Sequence, residues 1–282
     1  MITCNLMGGL GNQLFQIFAT ISYAIKSKNR FAFLSQETLG TGSTTIRHTF
    51  WKTFFANLKP FLVKDLPVVR VIREQGFAYN ELPVSEMINQ NIMLYGYFQS
   101  YKYFQANYST ICRLIGLGKM KVTILQKLDT TADSFDNTIS MHFRIGDYKK
   151  LQDYHPLATY EYYESSLGLI QKLKKGINFE ILYFCEDGDI EDVLSIINKL
   201  ESKFPSYKFV RGEKNMEDWE QMLLMSCCHH NIIANSSFSW WGAYFNFYTD
   251  KIVCYPSVWF GAKTNNDMSD LCPQEWNKIA CY

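Results

Sequence analysis

The sequence has no surplus of either charge and no long apolar run. Its 282 residues carry 28 Lys and Arg against 27 Asp and Glu, a formal net charge of +1. This balance argues against a nucleic-acid-binding protein, which needs a basic surface to displace counterions. No stretch reaches the roughly 18 to 20 apolar residues of a membrane span. Because the first residues, MITCNLMGGLGNQ, also lack the basic and apolar regions of a signal peptide, we expect a cytoplasmic protein.

The eight cysteines show no spacing typical of a metal or redox site. None lies in a C-x-x-C pair, and Cys227 and Cys228 are neighbours, which rarely form a disulfide. In the run CCHH at 227–230, consecutive side chains of a helix point in different directions, so a zinc site is not expected there. We therefore expect buried thiols and no bound metal.

Strand-like and helix-like segments alternate along most of the chain. From about residue 137, the apolar runs TISMHFR, FEILYFC, YKFVRG, NIIAN and KIVCYPS are separated by helical segments, which predicts βαβ units on a parallel sheet. ITCNL, MGGLG and an amphipathic run predict a second α/β unit at the N-terminus. A polar, turn-rich stretch at 115–136 predicts the boundary, with domains over residues 1–125 and 126–282. The crevice between two such domains is the expected ligand site.

A glycine-rich loop separates the first predicted strand from the first helix. Gly8, Gly9 and Gly11 allow a ligand to approach the backbone, and a helix N-terminus favours anions. The loop is not a dinucleotide fingerprint, because the third glycine of G-x-G-x-x-G falls at Leu14. It is not a P-loop either, since no G-K-[ST] follows. A structural tight turn explains the pattern equally well.

The segment MHFRIGDY, residues 141–148, ends a strand-like run with several charges. The planar guanidinium of Arg144 can bond two oxygens of a phosphate at once. Asp147 is placed to hold that guanidinium or to act on a proton. Because ligands bind at the carboxyl ends of strands in open α/β sheets, an anion site is expected here. A surface salt bridge is the alternative.

Two further polar segments follow predicted strands. In ANSSFSWWGA, residues 234–243, the hydroxyls of Ser236, Ser237 and Ser239 stand at the start of a helix, where hydroxyl and N–H groups can bind an anion. Plain helix capping is the alternative reading. In YFCEDGD, Glu186, Asp187 and Asp189 can accept hydrogen bonds from a purine or ribose, or can cap a helix.

GGLGNQLFQ, HFRIGDY and NSSFSWWGA, in this order and spacing, resemble the galactoside α-1,2-fucosyltransferases of glycosyltransferase family 11. The resemblance runs from residue 3 to about residue 261. It implies a GT-B-like fold of two Rossmann-like α/β domains with the donor site in the cleft between them, the acceptor on the N-terminal side and the GDP-sugar on the C-terminal side. The implied reaction is inverting transfer of L-fucose from GDP-β-L-fucose to a glycan hydroxyl, the 2-OH of a galactoside, without a metal or other cofactor.

The partners implied are a sugar nucleotide and a glycan acceptor. The resemblance, together with the absent membrane span, points to a bacterial or viral enzyme of the cytoplasm. Peripheral association with a lipid-linked acceptor stays open.

Residues that match the motifs receive their expected roles from the resemblance. Arg144 is expected to stabilise the charge that develops on the β-phosphate. Asn12 is expected to reach the same phosphate or the reacting hydroxyl. Asp147 is the candidate general base, although a carboxylate paired with an arginine is a poor base. The expected contacts to GDP-fucose are Gly9, Gly11, Asn12, His142, Arg144, Asp187, Ser236, Ser237 and Phe238.

One position departs from the pattern of the family. Ile145 stands where the family's HxRRxD motif carries its second arginine. Since adjacent strand residues face opposite sides, that arginine need not have contacted the same phosphate, but the difference leaves the donor sugar open. The alternatives are a transferase that uses another GDP-sugar, a non-catalytic glycan-binding protein, which needs no anion site, and a glycoside hydrolase, which needs two opposed carboxylates.

Overall fold

The computed structural model describes residues 1–40, 46–83, 91–264 and 266–281. The helices are α1 (Leu10–Lys26), α2 (Tyr108–Ile115), α3 (Leu117–Lys127), α4 (Tyr160–Leu173), α5 (Ile190–Lys203), α6 (Asp218–Met225) and α7 (Ser237–Tyr244). The strands are β1 (Ile2–Cys4), β2 (Phe33–Leu34), β3 (Thr38–Leu39), β4 (Arg47–His48), β5 (Leu62–Val63), β6 (Arg70–Arg73), β7 (Ile92–Tyr95), β8 (Thr138–His142), β9 (Glu180–Phe184), β10 (Lys208–Arg211), β11 (His230–Ile232), β12 (Val253–Pro256) and β13 (Asn277–Ile279).

The chain divides into two compact units. Unit 1 comprises Met1–Met120 and Asn266–Pro273, and unit 2 comprises Lys121–Asn265 and Gln274–Tyr282. The sequence predicted a boundary within the stretch 115–136, with domains meeting at 125 and 126, and the first division lies in that stretch, after Met120 and inside α3 (Leu117–Lys127). Gly116 forms a tight link there, because α2 ends at this residue in a left-handed conformation, φ +76°, and α3 begins at the next residue.

Unit 1 is built mainly on parallel strands, and β3 and β4 form a short antiparallel pair. β7 pairs with β1 on one side and with β6 on the other. A parallel bridge between Ile2 and Phe31 leads to β2, which pairs in parallel with β5. The helix α1 lies against β1 and buries Leu14, Phe15 and Phe18. Because β1, β6 and β7 run in the same direction, the segments that follow them meet at one edge.

A C-terminal segment returns to unit 1, which the sequence did not indicate. The Asp270 carboxylate pairs with Lys102 and accepts a hydrogen bond from the backbone N–H of Tyr79 at 3.2 Å. The carbonyl of Asp270 accepts a bond from the Ser100 hydroxyl at 2.7 Å. Since these partners are far apart in sequence, no local pattern marks the return.

Unit 2 carries a six-stranded parallel sheet in the order β10-β9-β8-β11-β12-β13. Counted from β8, the order is 3-2-1-4-5-6, the doubly wound arrangement in which the winding reverses between the first and fourth strands. Here those strands are β8 and β11, with Met141 paired to Ile232 at the carboxyl end. The predicted α/β class with parallel sheets is confirmed in both units.

A buried polar network fixes β11 beside β8. The Asn231 side chain donates to the Ser140 hydroxyl at 2.7 Å and to the Met225 carbonyl at 2.9 Å. Asn246 in turn donates to the Asn231 amide oxygen at 2.7 Å. A buried network in which every member has a partner favours one arrangement of its strands. The Asn231 network therefore fixes the spacing of β8 and β11 in the interior of the sheet, before the carboxyl ends of the two strands.

None of the eight cysteines forms a disulfide, and six of them are buried and two partly buried. Among the described residues, no helix is both long and apolar enough to cross a membrane. No group of three or more His, Cys, Asp or Glu side chains in that part of the chain is arranged to hold a metal ion.

Candidate functional site

Three segments meet where the winding of the unit 2 sheet reverses. One follows β8 at 143–150, one follows β9 at 185–189 and one follows β11 at 233–236. Because the three strands are parallel neighbours about 4.8 Å apart, their carboxyl ends bring these segments to one edge. In a doubly wound sheet this edge is the expected ligand site.

Arg144 is the central cation of this edge. Its Nη2 donates to Asp147 Oδ1 at 2.6 Å, and its Nη1 forms an ion pair with Glu186. The guanidinium carbon lies 5.0 Å from the ring centroid of Tyr148. Burial alone would lower the pKa of Arg144, but the charges of Glu186 and Asp147 outweigh it and raise that pKa. Arg144 is therefore a permanently charged fork in a fixed orientation, suited to a phosphate.

The neighbours of Arg144 in sequence point the other way. Phe143 and Ile145 are 2% and 8% exposed and belong to the hydrophobic core of unit 2. Arg144 faces Asp147 and Glu186 at the site, whereas the side chain at position 145 faces the core. The missing second arginine of the family pattern thus corresponds to a core position in this chain.

Asp189 and Tyr148 complete the surroundings of Arg144, a role that the sequence analysis did not predict for them. Asp189 is 5% exposed, and its Oδ2 accepts a hydrogen bond from the Gly146 N–H at 2.7 Å, which fixes the loop after Arg144. Tyr148 stacks on His155 with ring centroids 4.6 Å apart. The Tyr148 hydroxyl reaches the Asn235 carbonyl at 3.4 Å and so links the segments that follow β8 and β11.

The serines at the start of α7 serve the helix first. Ser236 is its N-cap, and its Oγ accepts a hydrogen bond from the Phe238 N–H at 3.3 Å. Ser239 donates to the carbonyls of Ala234 and Ser236. This confirms capping for Ser236, whose hydroxyl hydrogen can still be donated. Ser237, the first residue of α7, is partly exposed at the same N-terminus.

His142 lies beside this helix as a neutral side chain. It is 8% exposed, and its ring centroid is 5.6 Å from that of Phe238. Burial, with a smaller effect of Arg144, lowers the pKa of His142 to about 3. Its Nδ1 is shielded and has no hydrogen-bond partner among the described residues. His142 therefore contributes a hydrogen-bonding group rather than a charge.

Asp187 lies one strand further out, where it meets Arg211. Its Oδ1 accepts from Arg211 Nη2 at 2.5 Å, and the Asp187 side chain is 86% exposed. Arg211 ends β10, so this pair joins the carboxyl ends of β9 and β10. The predicted nucleoside contact is thus at the correct edge of the sheet, but its carboxylate already holds a cation.

The remaining predicted residues lie at the start of α1 in unit 1. Gly8 has φ +75°, and a Cβ there would collide with the Asn12 amide, whereas a Cβ on Gly9 would meet open space. Gly11 is buried in the first turn of α1. Gln99 Nε2 donates to Asn12 Oδ1 at 2.8 Å, which identifies Nδ2 as the hydrogen-bond donor of the Asn12 amide. Gly9, Gly11 and Asn12 therefore form one group in unit 1, and the other predicted residues form a second in unit 2.

Comparison with known proteins gives a match over almost the whole chain. The profile of the family Glycosyl transferase family 11 matches residues 1–280. An α-1,2-colitosyltransferase of Escherichia coli is 28% identical over 99% of both chains. The O-antigen biosynthesis glycosyltransferase WbnK of Escherichia coli is 26% identical over 98% of this chain and 99% of its own. A solved structure of a mutant of Arabidopsis thaliana FUT1 in complex with GDP covers 89% of this chain and 69% of its own, with a TM-score of 0.45 and 9% identity.

Proposed function

The chain belongs to glycosyltransferase family 11 and is a glycosyltransferase, and on this premise we propose that it transfers L-fucose from GDP-β-L-fucose to the 2-hydroxyl of a galactoside, with inversion and without a metal. One observation carries the proposal. Arg144 is a fixed cation at the strand end where the sheet of unit 2 reverses its winding, next to the segment that starts α7. A sugar-nucleotide diphosphate needs a positive charge to bind it, and it binds at this edge in doubly wound sheets.

In this reaction the acceptor oxygen forms a bond to C1 of the sugar while the bond from C1 to the β-phosphate oxygen breaks. Negative charge grows on the diphosphate as the sugar becomes oxocarbenium-like. Arg144 stabilises that charge by preorganised, charge-assisted hydrogen bonds. The N–H groups and the Ser236 hydroxyl at the start of α7 add donors with the favourable end of the helix dipole.

The acceptor side is assigned to the group at the start of α1. Gly9 leaves room for a ligand against the backbone, and the oriented Asn12 amide donates to the phosphate or to the reacting hydroxyl. The hydroxyl proton leaves to a carboxylate or, late in the reaction, to the departing diphosphate. Asp147 was the predicted base, but its Oδ1 is engaged by Arg144, which supports a holding role for it.

The second candidate donor is GDP-colitose. Colitose is fucose without its 3-hydroxyl, so the two sugars need the same diphosphate site and differ at one polar contact. The 28% identity to an α-1,2-colitosyltransferase favours this alternative. A pocket built to bond the 3-hydroxyl of fucose would discriminate strongly against colitose, whereas a pocket without that contact would not. For the acceptor class, the O-antigen relative favours a bacterial O-antigen-type glycan, lipid-linked or soluble, and we place the enzyme in the cytoplasm.

The test is a donor panel with one acceptor. The purified protein is incubated with lactose and equal concentrations of GDP-fucose, GDP-colitose or GDP-mannose, and the products are identified by mass spectrometry and NMR. We expect an α-linked deoxysugar on the 2-hydroxyl of galactose from GDP-fucose, and no product from GDP-mannose. A product from GDP-colitose alone would reassign the donor. Retained glycan binding without turnover of any GDP-sugar, across a set of galactoside acceptors, would contradict the transferase assignment and favour a lectin.

A further inference from the structure

Glu74 stands at the edge of unit 1 where β6 ends, and the proposed mechanism gives it no role. Its backbone N–H donates to the Tyr95 carbonyl at 2.9 Å, which continues the pairing of β6 with β7. Its carboxylate turns to the next loop, at 96–100. Oε2 accepts a hydrogen bond from the Tyr97 N–H at 2.7 Å, and the Phe98 N–H also interacts with the carboxylate, which opposes the rise of its pKa. One carboxylate thus holds two successive amides.

The loop is shaped around this carboxylate. A Cβ at Gly96 would collide with the Glu74 side chain, so only glycine lets the loop close over it. Phe98 has φ +52°, a left-handed conformation that is uncommon for a bulky residue and persists only where its surroundings enforce it. The bonds to Glu74 hold its amide, and its ring is buried against Tyr103 with centroids 5.2 Å apart.

The left-handed turn at Phe98 places the Gln99 side chain in contact with Asn12. Gln99 is 8% exposed, and its Nε2 donates to Asn12 Oδ1 at 2.8 Å. From the other side, Gln16 of α1 donates to the Gly96 carbonyl at 3.1 Å. A continuous set of contacts therefore runs from the Glu74 carboxylate through the Tyr97 and Phe98 amides to Gln99, and from Gln99 to the Asn12 amide.

We propose that Glu74 is a positioning residue for transfer, and that its ionised carboxylate holds the 96–100 loop in the form that orients Asn12. The proposal rests on the proposed function, because Asn12 matters only if it meets the phosphate or the acceptor. When the carboxylate takes up a proton, the bonds to the two amides lose their charge assistance, which is about half of their strength. Phe98 is then less firmly held in its left-handed conformation, and Gln99 no longer fixes the amide of Asn12.

The environment of Glu74 makes protonation accessible above the ordinary range of a carboxylate. Burial raises the pKa of Glu74, and the two amide bonds oppose that shift only in part. Its Oε1 is shielded and accepts no hydrogen bond from a described residue. Burial also raises the pKa of Tyr103 to about 12, with the charge of Glu74 as a lesser cause, so Tyr103 stays neutral.

Two charged groups on the described elements around Glu74 have partners of their own. On β6 itself, the Arg73 guanidinium lies 4.4 Å from the ring centroid of Tyr95 on β7. Beyond Tyr103, Asp270 pairs with Lys102. Neither Arg73 nor Lys102 forms an ion pair with the Glu74 carboxylate. Burial is accordingly the largest effect on the pKa of Glu74.

The test compares Glu74→Gln with Glu81→Gln. Glutamine matches the size of Glu74 and cannot ionise, so it imitates the protonated state. Glu81 is a carboxylate of unit 1 that pairs with Lys26 and is 70% exposed, which makes its variant the matched control. Hydrogen exchange of the Tyr97 and Phe98 amides is measured from pH 5 to pH 8 by NMR and corrected for intrinsic rates, and kcat and KM are measured over the same range.

For the wild type and Glu81→Gln, we expect protection of the two amides to fall with decreasing pH, in parallel with an acid limb of kcat. For Glu74→Gln, we expect about tenfold lower protection of the two amides at pH 8 and a kcat lower by about tenfold, because one charge-assisted interaction is lost. The kcat of this variant should not fall further with decreasing pH, and its KM for the sugar donor should be unchanged. Protection and a pH profile like those of the wild type would overturn the proposal.

A second variant keeps the proposal testable if Glu74→Gln does not fold. Gln99→Met breaks the contact to Asn12 and leaves Glu74 in place, so it should lower kcat and remove the acid limb while the Tyr97 and Phe98 amides stay protected. An acid limb that persists in Gln99→Met would overturn the proposal. Absence of turnover in the wild type would instead refute the proposed function, and the exchange experiment would still decide whether Glu74 holds the loop.

Discussion

Arg144 and Glu186 form an ion pair across the carboxyl ends of the neighbouring parallel strands β8 and β9. Asp147 holds the other nitrogen of the same guanidinium at 2.6 Å. The two carboxylates fix the orientation of Arg144, but they also compete with any phosphate for it. Since the Glu186 side chain is 61% exposed and that of Arg144 only 22%, Glu186 is the partner that can move away at low cost when an anion arrives.

The first prediction concerns affinity for GDP, measured by titration calorimetry. Glu186→Gln should bind GDP about two- to tenfold more tightly, because a competing charge is gone. Arg144→Lys should bind GDP at least about tenfold more weakly, because an ammonium lacks the two-pronged geometry. The control is Glu180→Gln, which removes a partly exposed carboxylate paired with Lys208 at 2.6 Å at the opposite end of β9. Equal affinities in all four proteins would show that GDP does not bind at Arg144.

The second prediction concerns the arginine that the family pattern has and this chain lacks. Ile145→Arg should lower the free energy of unfolding by about 3–5 kcal/mol, because it buries an unpaired charge in the core, and should not tighten GDP binding. Ile145→Leu should cost less than about 1.5 kcal/mol. Urea denaturation and calorimetry measure both quantities. A stable Ile145→Arg protein with tighter GDP binding would mean that position 145 faces the site.

The third prediction separates two adjacent glycines. Gly8→Ala should lower the free energy of unfolding by about 1–3 kcal/mol, because φ is +75° and the new Cβ meets the Asn12 amide. Gly9→Ala has open space and extended backbone, so its stability should stay within about 1 kcal/mol of the wild type. If a ligand approaches Gly9 as proposed, kcat/KM should nevertheless fall. Full activity of Gly9→Ala would remove that position from the site.

The fourth prediction concerns stability in acid. Burial lowers the pKa of His230 to about 3, whereas an unfolded histidine has a pKa of about 6.5. The unfolded chain therefore binds the proton first, so the stabilisation is complete above about pH 6.5 and is lost as the pH falls toward 3. Between pH 7 and pH 5, His230 should account for a loss of about 2 kcal/mol in the free energy of unfolding.

Two variants test that assignment by urea denaturation at both pH values. His230→Asn keeps an acceptor for the Ile252 N–H, which His230 Nδ1 binds at 3.1 Å, and should lose less stability than the wild type on acidification. His48→Gln, at an exposed position, should lose as much as the wild type. Identical losses in all three proteins would contradict a buried neutral His230.

The parts of the fold that follow from local pattern could be predicted from the sequence. The alternation of apolar strands and amphipathic helices gave the parallel α/β architecture, and the charges at the end of TISMHFR placed Arg144 at a strand end. Ser236 as a helix cap is equally local. Such features depend on residues within a few positions of one another, which is the range over which periodicity and capping act.

The parts that depend on distant residues could not be predicted. Glu186 is 42 positions from its partner Arg144, and Asp270 is 168 positions from Lys102. The segment Asn266–Pro273 joins unit 1 through such contacts. The sequence analysis predicted a single boundary because no local pattern marks this return. Glu74 has no sequence signal, because its role depends on the left-handed turn at Phe98, which only the folded loop shows.

The most direct test of the central claim is release of GDP from GDP-fucose in excess chelator, with and without lactose, for the wild type and Arg144→Ala. For the wild type, we predict that lactose stimulates GDP release and that the chelator does not reduce it. In Arg144→Ala, release should fall by about 100-fold or more, as expected when a hydrogen-bond donor to a developing oxyanion is lost. Circular dichroism should show that this variant is folded. Equal release by a folded Arg144→Ala protein, or release that requires an added divalent metal, would contradict the account.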